Sequence, residues 1–297
     1  MRGALRSALG VTHPPERITQ ESFELDDGHL GRLVRLQPGE RPNGNDLFAY
    51  TEDLRYTKVQ GSLLAYLLPV LLEVWRDDVR GIENSYAGVV EHIYPILADR
   101  HVFDQELTPK QNATVSAFMR QVILEEIDNQ RGLAFSGKRA QPYRWVREIA
   151  TYGVILPDLE SLWTTWWSLD AIGRAIAYIQ YLSCFMYAAN ENPIFSPWTP
   201  DAGGGPPCLW EFSGHLYTHC WLEPNVRFLR RTLNVQSLRD LLDRATERLL
   251  GEPEHAAAAN VCADFALCAS TVEARCIELP EILGTPQGPG RLHEWST

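Results

Sequence analysis

The chain has 297 residues, of which 45% are hydrophobic and 22% are charged. This composition excludes a disordered chain, a collagen-like repeat and a small disulfide-bonded scaffold. The formal net charge is −11, and direct binding of nucleic acid depends on a basic surface. The sequence therefore predicts no direct nucleic-acid partner.

The sequence contains neither a recognisable secretion signal nor a predicted membrane span. The first ten residues carry charges but no apolar segment of the length that a signal peptide needs. The longest uncharged stretches, residues 59–72 and 175–190, are shorter than the about 18–20 residues of a spanning helix. Six cysteines occur without a CxxC pair. We therefore expect a cytoplasmic protein with free thiols and no membrane contact.

Residues 1–45 are predicted to form an extended N-terminal arm because glycine and proline recur through them. Within this arm, residues 30–36 are predicted to form a short β-like strand. Residues 46–192 are predicted to form a helical bundle domain. Its first helix contains pairs of leucines over residues 63–72 and is interrupted by Pro69, which predicts either a kinked helix or two helices.

The clearest helix of the bundle begins at Thr108. Thr108, Pro109 and Gln111 form the pattern of an N-cap, a proline in the first turn and a capping-box glutamine. Gly132 is the expected stop signal. The residues expected on the buried face recur at helical spacing; they are Val115, Phe118, Met119, Val122, Ile123 and Ile127.

Residues 159–189 are the most apolar part of the chain and predict a central, buried helix. The tryptophans at its start, Trp163, Trp166 and Trp167, have two interpretations. The favoured one is a hydrophobic core, and the alternative is a pocket that binds a small molecule.

A loop rich in proline and glycine, residues 193–207, is the predicted domain boundary. Residues 208–284 are predicted to form a smaller helical unit, and residues 285–297 a loose tail. Within the unit, Ser237 is the expected N-cap of a helix that ends before Gly251. Residues 256–267 and 271–283 predict two further short helices. Residues 208–221 fit either a small hairpin or an irregular helix.

The segment around residue 215 contains the candidate metal ligands Glu211, His215, His219 and Cys220. On a helix, the first three would share one face, with Cys220 or Cys208 as a fourth ligand, a donor set that suits a divalent metal such as zinc. Against this, Leu216 stands where HExxH metalloproteases carry their catalytic glutamate. Packed, hydrogen-bonded histidines are the favoured interpretation.

The predicted fold class is mainly α: a multi-helix bundle with a short extended or β-like N-terminal arm and a possible hairpin near 208–221. No phosphate-binding loop and no nucleophile elbow occurs in the sequence. The leading functional hypothesis is a non-catalytic cytoplasmic interaction protein, of an inhibitor or immunity type, whose acidic surface suits a basic protein partner. The alternative is a metal-dependent hydrolase with its site around Glu211, His215 and His219. Whether the protein is an enzyme, and its oligomeric state, are left open.

Overall fold

The structure is a computed structural model that describes residues 1–23, 28–37, 39–82, 105–133, 148–149, 152–187, 192–194 and 220–285. Over these residues the chain is mainly helical and has no strand, which confirms the predicted mainly α class. No helix within them is long and apolar enough to cross a bilayer. The chain divides into two compact units, residues 1–122 and 123–297.

The first unit contains helices α1 (Arg2–Ala8), α2 (Gly28–Val34), α3 (Gly44–Tyr56) and α4 (Gly61–Val79), and most of α5 (Pro109–Asp128). The strand predicted over residues 30–36 is wrong, since most of that segment lies in α2. Leu30 and Leu33 are both buried, and a spacing of three places them on one side of a helix. With α1 also helical, the N-terminal arm is only partly extended.

Helix α4 is a single helix that contains Pro69. Proline removes one backbone hydrogen bond of a helix. The six leucines from Leu63 to Leu72 are all buried, so their packing offsets this loss. The helix is therefore not divided at the proline.

The capping box predicted for α5 is confirmed. The Thr108 amide donates to Gln111 Oε1 at 2.9 Å, and the Gln111 amide donates to Thr108 Oγ1 at 3.3 Å. Gly132, with a φ of +79°, follows the helix end. The apolar residues of the predicted inner face are buried, except Phe118, which is half-buried; the buried ones are Val115, Met119, Val122, Ile123 and Ile127.

The second unit contains α6 (Leu159–Trp167), α7 (Ile172–Met186), α8 (Glu223–Thr232), α9 (Val235–Arg248) and α10 (His255–Leu283). The single helix predicted over residues 159–189 is wrong, because α6 and α7 are separated by a turn. In that turn Leu169 adopts a φ of +59°, a left-handed conformation that cannot continue a helix.

Two further predictions, one for α9 and one for α10, are wrong. The N-cap of α9 is Asn234, whose side chain accepts from the Ser237 amide at 2.9 Å. The two short helices predicted over residues 256–267 and 271–283 form one helix, α10, of 29 residues. No glycine or proline interrupts it before Pro280. Apart from Pro280, its buried residues are spaced by three, four or seven and form one continuous stripe: Ala258, Val261, Phe265, Val272, Cys276, Leu279 and Leu283.

The core of the second unit lies where α7, α9 and α10 pack against one another. Helix α8 packs on α6 and α10. The predicted hairpin near 208–221 and the predicted loop at 193–207 lie almost entirely outside the described residues. The same is true of the tail beyond residue 285. The helices on the two sides of that loop, α7 before it and α9 and α10 after it, all belong to this unit.

Candidate functional site

Of the predicted metal ligands, Glu211, His215 and His219 lie outside the described residues, and only Cys220 is placed. Its thiol is half-buried, and this burial raises its pKa. The next residue, Trp221, donates its amide to the Leu283 carbonyl at 2.8 Å. Among the residues that the structure describes, no three His, Cys, Asp or Glu side chains are grouped so as to hold a metal ion. The metal site stays a prediction.

The tryptophan cluster at α6 has the geometry of a core. Trp163 and Trp166 are 1% and 0% exposed. The Trp163 ring lies 5.1 Å from that of Trp167 and 5.6 Å from that of Tyr181, centre to centre. Edge-to-face and tilted contacts at such distances are how packed aromatic rings stabilise one another. This packing supports the core interpretation over the small-molecule pocket.

Two pairs of polar side chains join α2 and α3 in the first unit. His29 Nε2 lies 2.6 Å from Asp53 Oδ2, and the two residues are 1% and 0% exposed. Arg32 forms a bidentate salt bridge with Asp46, with distances of 2.7–3.0 Å between the guanidinium nitrogens and the carboxylate oxygens. Because His29 pairs late in α3 and Arg32 pairs early in it, the two helices run antiparallel.

A histidine–aspartate pair is a familiar arrangement in acid–base catalysis, but burial gives this one a different role. Asp53 Oδ1 also accepts from the Phe23 amide at 2.6 Å. The carboxylate thus connects three parts of the chain: α2, α3 and the backbone at Phe23. With both side chains enclosed, the pair holds these segments together and offers no surface to a substrate. The sequence analysis did not identify it.

A half-buried cysteine on α10, Cys262, forms hydrogen bonds with residues of α9. Its thiol donates to Asp243 Oδ1 at 3.1 Å, and Arg239 donates to its carbonyl oxygen at 2.9 Å. Burial and the hydrogen bond to Asp243 raise the thiol's pKa. A nucleophilic cysteine needs a lowered pKa, so Cys262 contributes to the contact between α9 and α10 and is not poised for catalysis.

The side of α10 opposite its buried stripe carries exposed apolar residues. We call this side the outer face of α10. Leu267 is 85% exposed and Ile277 is 67% exposed. Ten positions apart on a helix, they lie about 15 Å apart along the axis and about 80° apart around it. The outer face comprises exposed residues at alternating spacings of four and three: Ala263, Leu267, Ser270, Ala274 and Ile277.

Contacts along its two edges fix α10 in the second unit. On one edge, Cys262 is hydrogen-bonded to residues of α9. On the other, Asp264 accepts from the Tyr187 hydroxyl at 2.8 Å. Arg275 donates to the Tyr187 carbonyl at 2.9 Å. The outer face is therefore held on a packed helix and not on a loop, which reduces the entropy lost on binding.

Two exposed glutamates flank the outer face, Glu273 at one edge and Glu278 at the other. Neither forms an ion pair with any residue in the described part of the chain. An apolar stripe with acidic edges is a candidate binding surface for another protein. The sequence analysis missed it because it divided α10 in two. Treated as one helix, residues 255–283 show two stripes at heptad spacing on opposite sides.

Comparison of the chain with protein-family models, with curated proteins and with solved structures finds no significant match.

Proposed function

We propose that this chain is a non-catalytic interaction protein that binds a protein partner through the outer face of α10. The observation that carries the proposal is the exposure of Leu267 and Ile277, 85% and 67%, on a helix whose opposite side is buried. Single exposed apolar residues are common, whereas grouped ones mark interaction sites. Here two large apolar side chains share one face with small residues between them.

The energetics of this face suit binding. Burial of a leucine or isoleucine side chain contributes about 1.5–3 kcal/mol. Leu267 and Ile277 would therefore serve as anchors, and the small side chains of Ala263 and Ala274 allow a partner to approach the helix backbone closely. Replacing both anchors should weaken binding at least tenfold.

The charge of the chain supports a basic partner. The net charge is −11, and complementary charge speeds encounter and disfavours wrong partners. Binding of this kind suits an inhibitor or immunity-type role against a basic protein. We place it in the cytoplasm, where thiols such as Cys276 stay reduced.

The test compares proteins retained from a lysate of the source cells by three forms of the full chain. These are the unchanged chain, the double variant Leu267→Ser/Ile277→Ser, and the control Leu250→Ser. Leu250 is 66% exposed in the same unit but follows α9. We expect at least one protein to be retained by the unchanged chain and the control and lost from the double variant. That protein is then purified and its affinity measured by calorimetry.

The proposal is wrong if no protein is retained by the unchanged chain, or if all three forms retain the same set with equal affinity. Unfolding curves of the three forms guard against a trivial loss of structure. Substitutions at exposed positions change stability by about 0.5 kcal/mol or less, so the three curves should coincide closely.

A further inference from the structure

We infer that the element bound by the outer face of α10 is an amphipathic helix with lysine or arginine along its flanks. This inference rests on the proposed function and names the chemistry of its partner. It is carried by the heptad spacing of the outer face, by its pattern of large and small residues, and by the acidic side chains at its edges.

The spacing of the outer face favours a helical partner. From Ala263 to Ile277 the exposed positions alternate at intervals of four and three residues. Helices that pack side by side contact one another at this spacing. The seam continues at the same spacing to Ala256, which is also exposed, so it is about 30 Å long at 1.5 Å per residue. A partner helix of about three heptads would cover it.

The sizes of the side chains define what the partner presents. Leu267 and Ile277 project as knobs, while Ala263, Ser270 and Ala274 leave space beside the backbone. A partner with large aliphatic residues opposite those three positions, and smaller ones opposite the two knobs, would interdigitate with the seam. The partner helix is therefore apolar on the side that it buries.

The charges at the edges define what flanks that apolar side. Glu273 and Glu278 lie at positions equivalent to those that form salt bridges between paired helices. The single arginine of α10, Arg275, donates to the backbone carbonyls of Cys184 and Tyr187. On α9, Arg239 pairs with Asp243. Lysine or arginine on the partner would form salt bridges with the two glutamates.

A second copy of this chain fits the same face poorly. If two outer faces paired, in either direction, Glu273 and Glu278 would meet no cation from the other α10, because Arg275 is held at the side of the helix. Like charges placed together across a helix interface oppose association. The charge pattern thus favours a partner of opposite charge.

The experiment uses the purified full chain and two synthetic 28-residue helical peptides, followed by fluorescence anisotropy. Both peptides carry leucine and alanine at the a and d positions. One has lysine at e and g, and the other has glutamate there. We expect the lysine peptide to bind at least tenfold more tightly than the glutamate peptide in 50 mM salt. Higher salt should reduce this difference because exposed charges are screened.

Variants separate specific binding from general attraction to an acidic protein. Glu273→Gln/Glu278→Gln should weaken the lysine peptide about fivefold, and Leu267→Ser/Ile277→Ser at least tenfold. The control Glu247→Gln removes an exposed carboxylate of α9 and should change affinity less than twofold. Equal affinity for the two peptides, or equal effects of all the variants, overturns the inference.

The outcomes also distinguish this inference from the proposed function. If a cellular protein depends on Leu267 and Ile277 while the lysine peptide does not, the function stands and the partner class is wrong. If neither depends on them, both fail. If sedimentation shows that the chain forms a dimer that Leu267→Ser/Ile277→Ser dissociates, the occupant is a second copy and the inference is overturned.

Discussion

The contact between α2 and α3 and the contact between α6 and α7 use opposite chemistry. The first joins helices of seven and thirteen residues and places the His29–Asp53 pair in its interior. The second is made by tilted and edge-on rings around Trp163 and Tyr181. A contact made by rings depends on filled volume, whereas one made by a buried polar pair depends on each group keeping its partner. The two should therefore respond differently to the loss of a side chain.

The largest effect is expected from emptying the ring cluster. Trp163→Ala removes a fully enclosed side chain and should lower the free energy of unfolding by about 4–5 kcal/mol, as large-to-small core substitutions do. Urea denaturation followed by circular dichroism measures it. Trp163→Phe keeps most of the volume and should cost less than half as much. Equal losses for the two variants would show that volume does not govern this contact.

A slightly smaller effect is expected from breaking the buried pair. Asp53→Ala leaves His29 Nε2 and the Phe23 amide without their acceptor and should cost about 3–4 kcal/mol, because an enclosed polar group loses its partner. Asp46→Ala is the matched control. Its partner Arg32 has a side chain that is 49% exposed, so water can replace the carboxylate and the loss should be about 1 kcal/mol.

A double substitution sharpens the comparison. His29→Leu/Asp53→Leu removes both members of the pair, although the Phe23 amide still loses its acceptor. It should be less destabilising than Asp53→Ala alone, since replacement of a buried pair by apolar residues is often neutral. If the double variant is the less stable one, the pair contributes more than mutual satisfaction, and the contrast drawn with the ring cluster does not hold.

A close approach of backbone in the second unit gives an intermediate effect. Gly173 lies in the first turn of α7, and a Cβ there would overlap the carbonyl group of Asp128 at the end of α5. Gly173→Ala should destabilise by about 1–3 kcal/mol because packed backbone must shift. The control Gly3→Ala, in α1, meets no atom within 4 Å and should be neutral or slightly stabilising. A neutral Gly173→Ala would contradict the close approach of the Asp128 carbonyl group to the first turn of α7.

The elements that were predicted well from the sequence carry local signals. Thr108 and Gln111 cap α5 as expected, because a capping box needs only four consecutive residues. The apolar composition of a segment also indicates that it is buried, as for Trp163 and Trp166. What was missed depends on pairing between distant residues or on continuity. His29 and Asp53 are 24 positions apart, and nothing local indicates that they meet. The break at Leu169 was missed because no glycine or proline marks it. The break predicted between residues 267 and 271 was wrong, since no glycine or proline interrupts α10 there.

The same limit applies to the candidate site. The sequence analysis chose a glutamate, two histidines and a cysteine by residue type, and three of these four residues lie outside the described part of the chain. The outer face of α10 contains only ordinary residues, such as Ala263 and Leu267. Its significance depends on which side of the helix is buried, and this is known only once α7, α8 and α9 are in place. A surface of this kind is hard to predict from one sequence.

The smallest expected effect is a pH dependence at the buried stripe of α10. Burial raises the pKa of Cys276 from 9.0 to about 12. Because the folded thiol holds its proton more tightly than the unfolded one, the contribution of this thiol to stability is constant below about pH 8 and falls as pH rises from 9 towards 12. The slope from one such group is at most about 1.4 kcal/mol per pH unit. Urea denaturation at pH 7, 8, 9 and 9.5 measures it.

Two variants isolate this thiol. Cys276→Ala should reduce the decline in stability between pH 8 and 9.5. Val272→Ala, at a neighbouring position of the same stripe, removes volume but no proton, so it should lower stability equally at every pH. The measurements stay below pH 10 because two tyrosines would also contribute above it. Burial raises the pKa of Tyr178 and Tyr181 in the folded chain, and in the unfolded chain tyrosine ionises near pH 10. An unchanged slope in Cys276→Ala would show that this thiol reaches water in the folded chain. The buried side of α10 would then be less closely packed at this position than the structure indicates.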